Sequence, residues 1–220
     1  MGNTIQARPS PGGANVRFVG LGADNINKAG LWTISGNLIG SQITNIHIRY
    51  CRGIVISGNS IYSGHGRNIV VEHSGYITVG PNSFDYNPGY RAEQLVTLGD
   101  GVVFDHCFGC NLTGAVLSDT RAGTAEQGGA VEIRHSRAIA VTACQIINPR
   151  HRGIEMTDVE ACRVSGCTIR AEPGSSMQQA IRLTGGSGNM IDHNMVSAGR
   201  AGDIVVAAAD QARLIGNVTI

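Results

Sequence analysis

A parallel β-solenoid is the fold class this sequence predicts, and three observations predict it. The segment AGLWTISGNLI at 29–39 recurs closely as CRGIVISGNSI at 51–61 and more loosely six further times, so the 220 residues carry eight copies. The starts lie 22, 23, 33, 29, 23, 27 and 23 residues apart, which makes the core unit 22–23 residues and puts the excess in loops. Within and just before each copy, apolar residues alternate with polar or small ones at period two, as in a strand with one buried face. No segment of convincing helical period is present, and the 31 glycines and many β-branched residues disfavour one.

Three short strands per unit follow. The first lies just before each copy: Ile46-His-Ile48, Ile69-Val-Val71, Val102-Val-Phe104, Val131-Glu-Ile133, Ile154-Glu-Met156, Ile181-Arg-Leu183 and Ile204-Val-Val206. The pattern predicts that Ile48, Val71, Phe104, Ile133, Met156, Leu183 and Val206 stack along the axis of the coil. The second strand occupies the fourth to sixth residues of a copy, as in Ile54/Ile56 and Ile139/Val141, and the third is marked by the apolar eleventh residue, as in Ile61, Phe84 and Ile169. With three strands per turn and each strand paired to its copy one turn on, about eight to nine rungs are expected. Leucine-rich repeats have a similar length but a Leu spacing absent here, and propeller blades need antiparallel strands. The whole of 1–220 reads as one domain, with 1–13 an irregular N-terminal segment.

The ninth residue of each copy is the strongest column: Asn37, Asn59, Asn82, Ala115, Cys144, Cys167, Asn194 and Asn217, with glycine before most of them. Stacked asparagines can hydrogen-bond across steps of about 4.8 Å and tolerate the left-handed conformation of a tight bend. On these residues the sequence resembles the right-handed parallel β-helix (pectin-lyase-like) family, whose turns carry such an asparagine ladder, over residues from about 14 to 220. The resemblance implies a carbohydrate cleft on the outer face of the first strand and an extracellular or periplasmic setting. The family includes lyases, hydrolases, epimerases and non-catalytic spikes, so it implies no single activity.

Composition narrows the classes further. An apolar fraction of 42% with 15% charged residues and a net charge of +1 excludes a disordered chain and gives no reason to expect a nucleic-acid partner. No apolar run approaches the roughly 20 residues of a membrane-spanning helix, and the N-terminus has no signal-peptide pattern. Of 17 basic residues all but Lys28 are arginine, which suits bidentate recognition of carboxylate or sulfate. The six cysteines fall in the repeat register, are expected to be reduced, and form no zinc pattern.

Function is expected on the outward columns and in the loops, because inward residues form the core. One outward column runs His47, Val70, Val103, Glu132, Glu155, Arg182, Val205, and the next runs Arg49, Glu72, Asp105, Arg134, Thr157, Thr184, Ala207. The longest loops, 85–101 and 118–130, precede the most charged rungs. Glu132 and Glu155 sit on adjacent rungs, a spacing that suits a retaining glycosidase or, equally, a surface ion network. Tyr90 and His151 are the candidate acid/base groups from the loops, and Arg134, Arg152, Arg182, Asp105 and Arg91 are the candidate substrate contacts. A third column, Tyr50, His73, His106, His135, Asp158, reads as ring stacking toward the corner or interior, as a base, or as a metal site.

Two functions are open. One is a lyase or glycoside hydrolase acting on, or a protein binding, an acidic polysaccharide. The other is a non-catalytic structural or adhesive segment of a larger surface or spike protein. Neither the aspartate cluster of calcium-dependent pectate lyases nor the Asp-Pro-His-Asp stretch of alginate epimerases is present, so no cofactor is expected and calcium is not indicated. Open ends of the coil suggest a piece of a longer chain, or end-to-end and homo-oligomer contacts.

Overall fold

The computed structural model describes residues 2–85, 99–209 and 211–220. Its strands form three parallel sheets of eight, eight and nine strands among the described residues, and every sheet is built from each third strand in chain order. Eight stacked strands are separated by seven turns of chain, so the coil makes about seven turns, slightly fewer than the eight to nine rungs expected from the repeats.

The first sheet carries the predicted register without a slip: Ile48 pairs with Val71, Val71 with Phe104, Phe104 with Ile133, Ile133 with Met156, Met156 with Leu183 and Leu183 with Val206. All of these are buried except Val206, which packs against the core from its last rung. The second and third strands add Ile56, Val79, Leu112, Val141 and Val164, and Ile61, Phe84, Leu117, Ile146 and Ile169, to the same column of apolar contacts. A one-residue slip would turn an entire strand's apolar set to solvent, which is why period two defines the register.

Asparagine side chains at the bend pair along the axis of the coil. The Asn37 Nδ2 donates to Asn59 Oδ1 at 3.1 Å, Asn59 Nδ2 to Asn82 Oδ1 at 3.0 Å, and Asn194 Nδ2 to Asn217 Oδ1 at 3.0 Å. Where Cys144 and Cys167 interrupt the column, their thiols donate to Leu112 and Val141 carbonyls at 3.7 Å. A second asparagine series, unread in the sequence, opens the first sheet: Asn15 Nδ2 donates to Asn45 Oδ1 at 3.0 Å and Asn45 Nδ2 to Asn68 Oδ1 at 2.7 Å. Asn59→Ala should cost about 2 kcal/mol in urea denaturation, because it strips partners from the Ile34 carbonyl and the Asn37 N–H inside the bend. A loss below about 0.5 kcal/mol would show that water replaces the amide there.

All six cysteines are free and buried. The buried thiols of Cys107 and Cys110 interact with one another, as do those of Cys144 and Cys167. Alternation stops at the end of the first strand: Tyr50, His73, His106, His135 and Asp158 have φ of 55°, 47°, 54°, 48° and 51°. This left-handed step turns their side chains out at the corner.

Candidate functional site

The strands Val102–Asp105, Val131–Arg134 and Arg152–Glu160 bring the middle rungs of both outward columns side by side. Glu132 pairs in register with Val103 and Glu155, and Asp105 pairs with Arg134. Over them folds the 118–130 loop, whose tip is closed by Thr124: its N–H donates to the Gln127 carbonyl at 2.6 Å and its hydroxyl accepts the Gln127 N–H at 3.2 Å. Between the loop and the sheet lies a cleft of about 440 Å³ lined by Arg67, Gln127, Glu132, Arg134, His135 and Glu155, among others. A larger hollow of about 600 Å³ lies by Asp119, Arg121, Asn148 and Arg150, but no imidazole or paired carboxylate lines it. We place the candidate site in the smaller cleft on that chemical ground.

Glu132 and Glu155 point away from the core as the alternation requires, yet they are 6% and 4% exposed because the loop covers them. Each carboxylate has its own guanidinium. Arg67 Nη2 meets Glu132 Oε1, with Arg134 Nη1 a further 3.7 Å contact on Oε2. Arg182 Nη2 meets Glu155 Oε1, and the Gly128 N–H donates to Glu155 Oε2. Residue 128 is glycine for a steric reason: its φ is +83°, and a Cβ there would collide with the Glu132 carboxylate. The ion network foreseen as one reading of the pair is present, but Arg67, two turns away, is its missed member. A cation at the entry to the Arg67–Glu72 strand was the available signal, and it lay outside both columns.

Arg152 was expected in a loop, free to hold a substrate. It is instead the first residue of a strand and 1% exposed. Its Nε donates to Gln179 Oε1 at 2.8 Å, Nη1 to the Thr124 and Gly128 carbonyls at 3.2 and 3.3 Å, and Nη2 to the Ala125 carbonyl at 2.7 Å and Gln178 Oε1 at 3.0 Å. With all five N–H groups committed, this residue pins the loop and has no donor left for a ligand. Arg182 is engaged through Nη2, which also donates to the Glu126 carbonyl at 2.7 Å, while its Nε is buried without a hydrogen-bond partner. His151 does not line the cleft, and burial, then the Arg150 and Arg152 charges, hold its pKa below the ordinary imidazole value. Tyr90 and Arg91 lie outside the described residues.

The corner holds the groups that stay accessible. Rings of Tyr50, His73, His106 and His135 stack with centroids 5.2, 4.8 and 4.7 Å apart, on the outside of the coil rather than in its interior. Asp105 joins the columns: its Oδ1 lies 2.8 Å from His106 Nδ1 and 3.1 Å from His135 Nδ1, and its Oδ2 lies 3.1 Å from Arg134 Nε. Burial alone would raise the Asp105 pKa, but the His135 hydrogen bond, the Arg134 charge and the His106 hydrogen bond outweigh it and hold it low. The His135 and Arg134 side chains are 46% and 43% exposed, so a ligand in the cleft can reach both.

Three parallel sheets coiled in this order are the architecture of a parallel β-helix. Residues 129–219 match the family model of the right-handed beta helix region. The sequence matches no curated protein. Among solved structures, the periplasmic alginate epimerase AlgG aligns with a TM-score of 0.61 at 14% identity, over 86% of this chain and 45% of that one. The chain therefore spans under half of that enzyme's length, and the likeness is one of fold. The catalytic domain of a GH87 alpha-1,3-glucanase, solved in complex with tetrasaccharides, aligns at 14% identity over 98% of this chain and 50% of that one, with a TM-score of 0.32.

Proposed function

We propose that this β-helix takes an acidic polysaccharide into the cleft over its first sheet and acts on it by removing a proton beside the sugar carboxylate, as a lyase or epimerase does. One observation carries this reading: Arg134 and His135, the half-exposed cation and imidazole, line the same cleft, while both glutamates are buried under guanidinium groups. A retaining hydrolase needs one carboxylate free to attack and the other free to protonate, and neither is free here. Proton abstraction instead needs a base and a positive partner for the carboxylate whose neighbouring carbon becomes acidic. With Nδ1–H donated to Asp105, the neutral His135 ring presents Nε2 as that base, and the Arg134 guanidinium supplies the charge. Arg67 extends the positive edge of the cleft.

The test is a panel of uronate and neutral polymers, followed by ultraviolet absorbance for unsaturated ends, reducing-sugar release and solvent-deuterium uptake. Uronate polymers should bind in preference to neutral ones, Arg134→Ala should weaken that binding at least about tenfold, and His135→Ala should abolish turnover while sparing binding. Reducing ends without unsaturation or deuterium uptake, lost in Glu132→Gln, would replace this mechanism with hydrolysis. Uronate binding with no turnover would leave the chain a binding module.

A further inference from the structure

From the corner cluster we infer a binding site for a divalent transition-metal ion, with Asp105 Oδ1, His106 Nδ1 and His135 Nδ1 as its ligands. One ligand atom from each of the three residues lies within 4.8 Å of the other two, and Asp105 Oδ1 is already 2.8 Å from His106 Nδ1 and 3.1 Å from His135 Nδ1. An ion bonded at about 2.0–2.2 Å to nitrogen and oxygen sets neighbouring ligand atoms roughly 3 Å apart, so the trio is close to a coordination face. Only the two imidazoles need to approach each other, and both rings are half exposed.

The backbone builds this arrangement. Pairing of Asp105 with Arg134 puts the following residues, His106 and His135, one above the other. Their φ of 54° and 48° then throws both rings to the outside with Nδ1 directed back at the strand end. On the far side of His135, Asp158 Oδ2 lies 3.9 Å from Nε2, the position from which a carboxylate orients a ligating ring. Arg134 stays on the other oxygen of Asp105, opposing the ion with one positive charge, which Asp158 offsets.

Two imidazoles and a single carboxylate favour zinc, nickel, cobalt or copper over calcium and magnesium, which prefer all-oxygen shells. The exposure of both rings leaves remaining positions to water. The site rests on ligand geometry alone. Its effect on turnover rests on the function proposed above, because a bound ion would occupy the His135 and Asp105 atoms that make the base.

Calorimetric titration of EDTA-treated full-length protein with zinc chloride, beside the visible spectrum with cobalt chloride, tests it. One equivalent should bind, with a cobalt absorption band, and His106→Gln and Asp105→Asn should each weaken zinc at least about tenfold. His73→Ala, one ring further along the stack, should leave zinc affinity unchanged, and circular dichroism of each variant checks the fold. Absence of a stoichiometric phase, or a phase that survives in the His106→Gln/His135→Gln double variant, overturns the site. Zinc that binds as expected but leaves turnover of a uronate polymer untouched keeps the metal site and overturns the base assignment of His135.

Discussion

Arg152→Met is expected to destabilise the protein by about 3–5 kcal/mol. Methionine keeps most of the side chain's reach and apolar stem, so the loss measures the guanidinium rather than a cavity. What disappears is one cation that serves the carbonyls of Thr124, Ala125 and Gly128 and the amide oxygens of Gln178 and Gln179. The Gly128 carbonyl and the Gln179 amide oxygen are left buried without this donor, and the 118–130 loop loses its anchor to the strand beneath. Lysine, with three donors on a point charge, should recover only part of the loss. Urea denaturation of the three proteins would measure it, and a difference below about 1 kcal/mol for methionine would mean that the loop is held by its own turn.

The second large effect depends on pH. Asp100 is 1% exposed, sits at φ +58°, and accepts the Gly64 N–H at 2.8 Å through Oδ1. Burial drives its pKa from 3.8 to about 7 against the lowering pull of the Gly64 N–H, the Asn68 side chain and the Arg121 charge, with Asp85 adding a smaller upward push. A raised carboxyl means that the folded state holds the proton more tightly than the unfolded one. Its contribution to stability is therefore complete below roughly pH 4 and is lost as pH rises through about 7. The loss amounts to about 2–4 kcal/mol. Asn tolerates the left-handed conformation, can accept the same Gly64 N–H, and continues the Asn15–Asn45–Asn68 series by one rung. Asp100→Asn should thus be more stable than the parent at roughly pH 8 and equal to it at roughly pH 4. Parallel pH profiles for the two proteins would show that Asp100 is not the titrating group.

Much of the coil could be read from the chain because its two periods are both local. Alternation tells each strand which face is inside, and a 22–23-residue repeat tells it which strand it pairs with; Ile48 through Val206 needed nothing more. The site was harder because its decisive contacts ignore both periods. Arg67 and Glu132 are 65 residues apart, and no column contains the pair. Arg152 looks like a solvated loop cation beside His151 until the carbonyls of a different loop close around it. The glutamates do face outward, but outward is not exposed when 118–130 folds back over the sheet. The histidines deceived in a different way: strand parity ends where φ turns positive, so extrapolating it beyond Asp105 or Arg134 allows an interior direction that the chain does not take.

Copying a turn offers a route by which such a protein acquires reach. Each strand bonds only to those directly above and below it in its sheet, so a duplicated stretch such as the one from Val131 to Gly153 would find ready-made partners at both of its faces. The core would accept it, since every rung presents the same apolar positions to its neighbours. Outside, the same event would insert a second row bearing copies of Glu132, Arg134 and His135 and lengthen the outer face by one rise of about 4.8 Å. The coil can therefore grow in steps the size of a strand spacing, with the side chains of each step inherited ready-made from the turn that was copied.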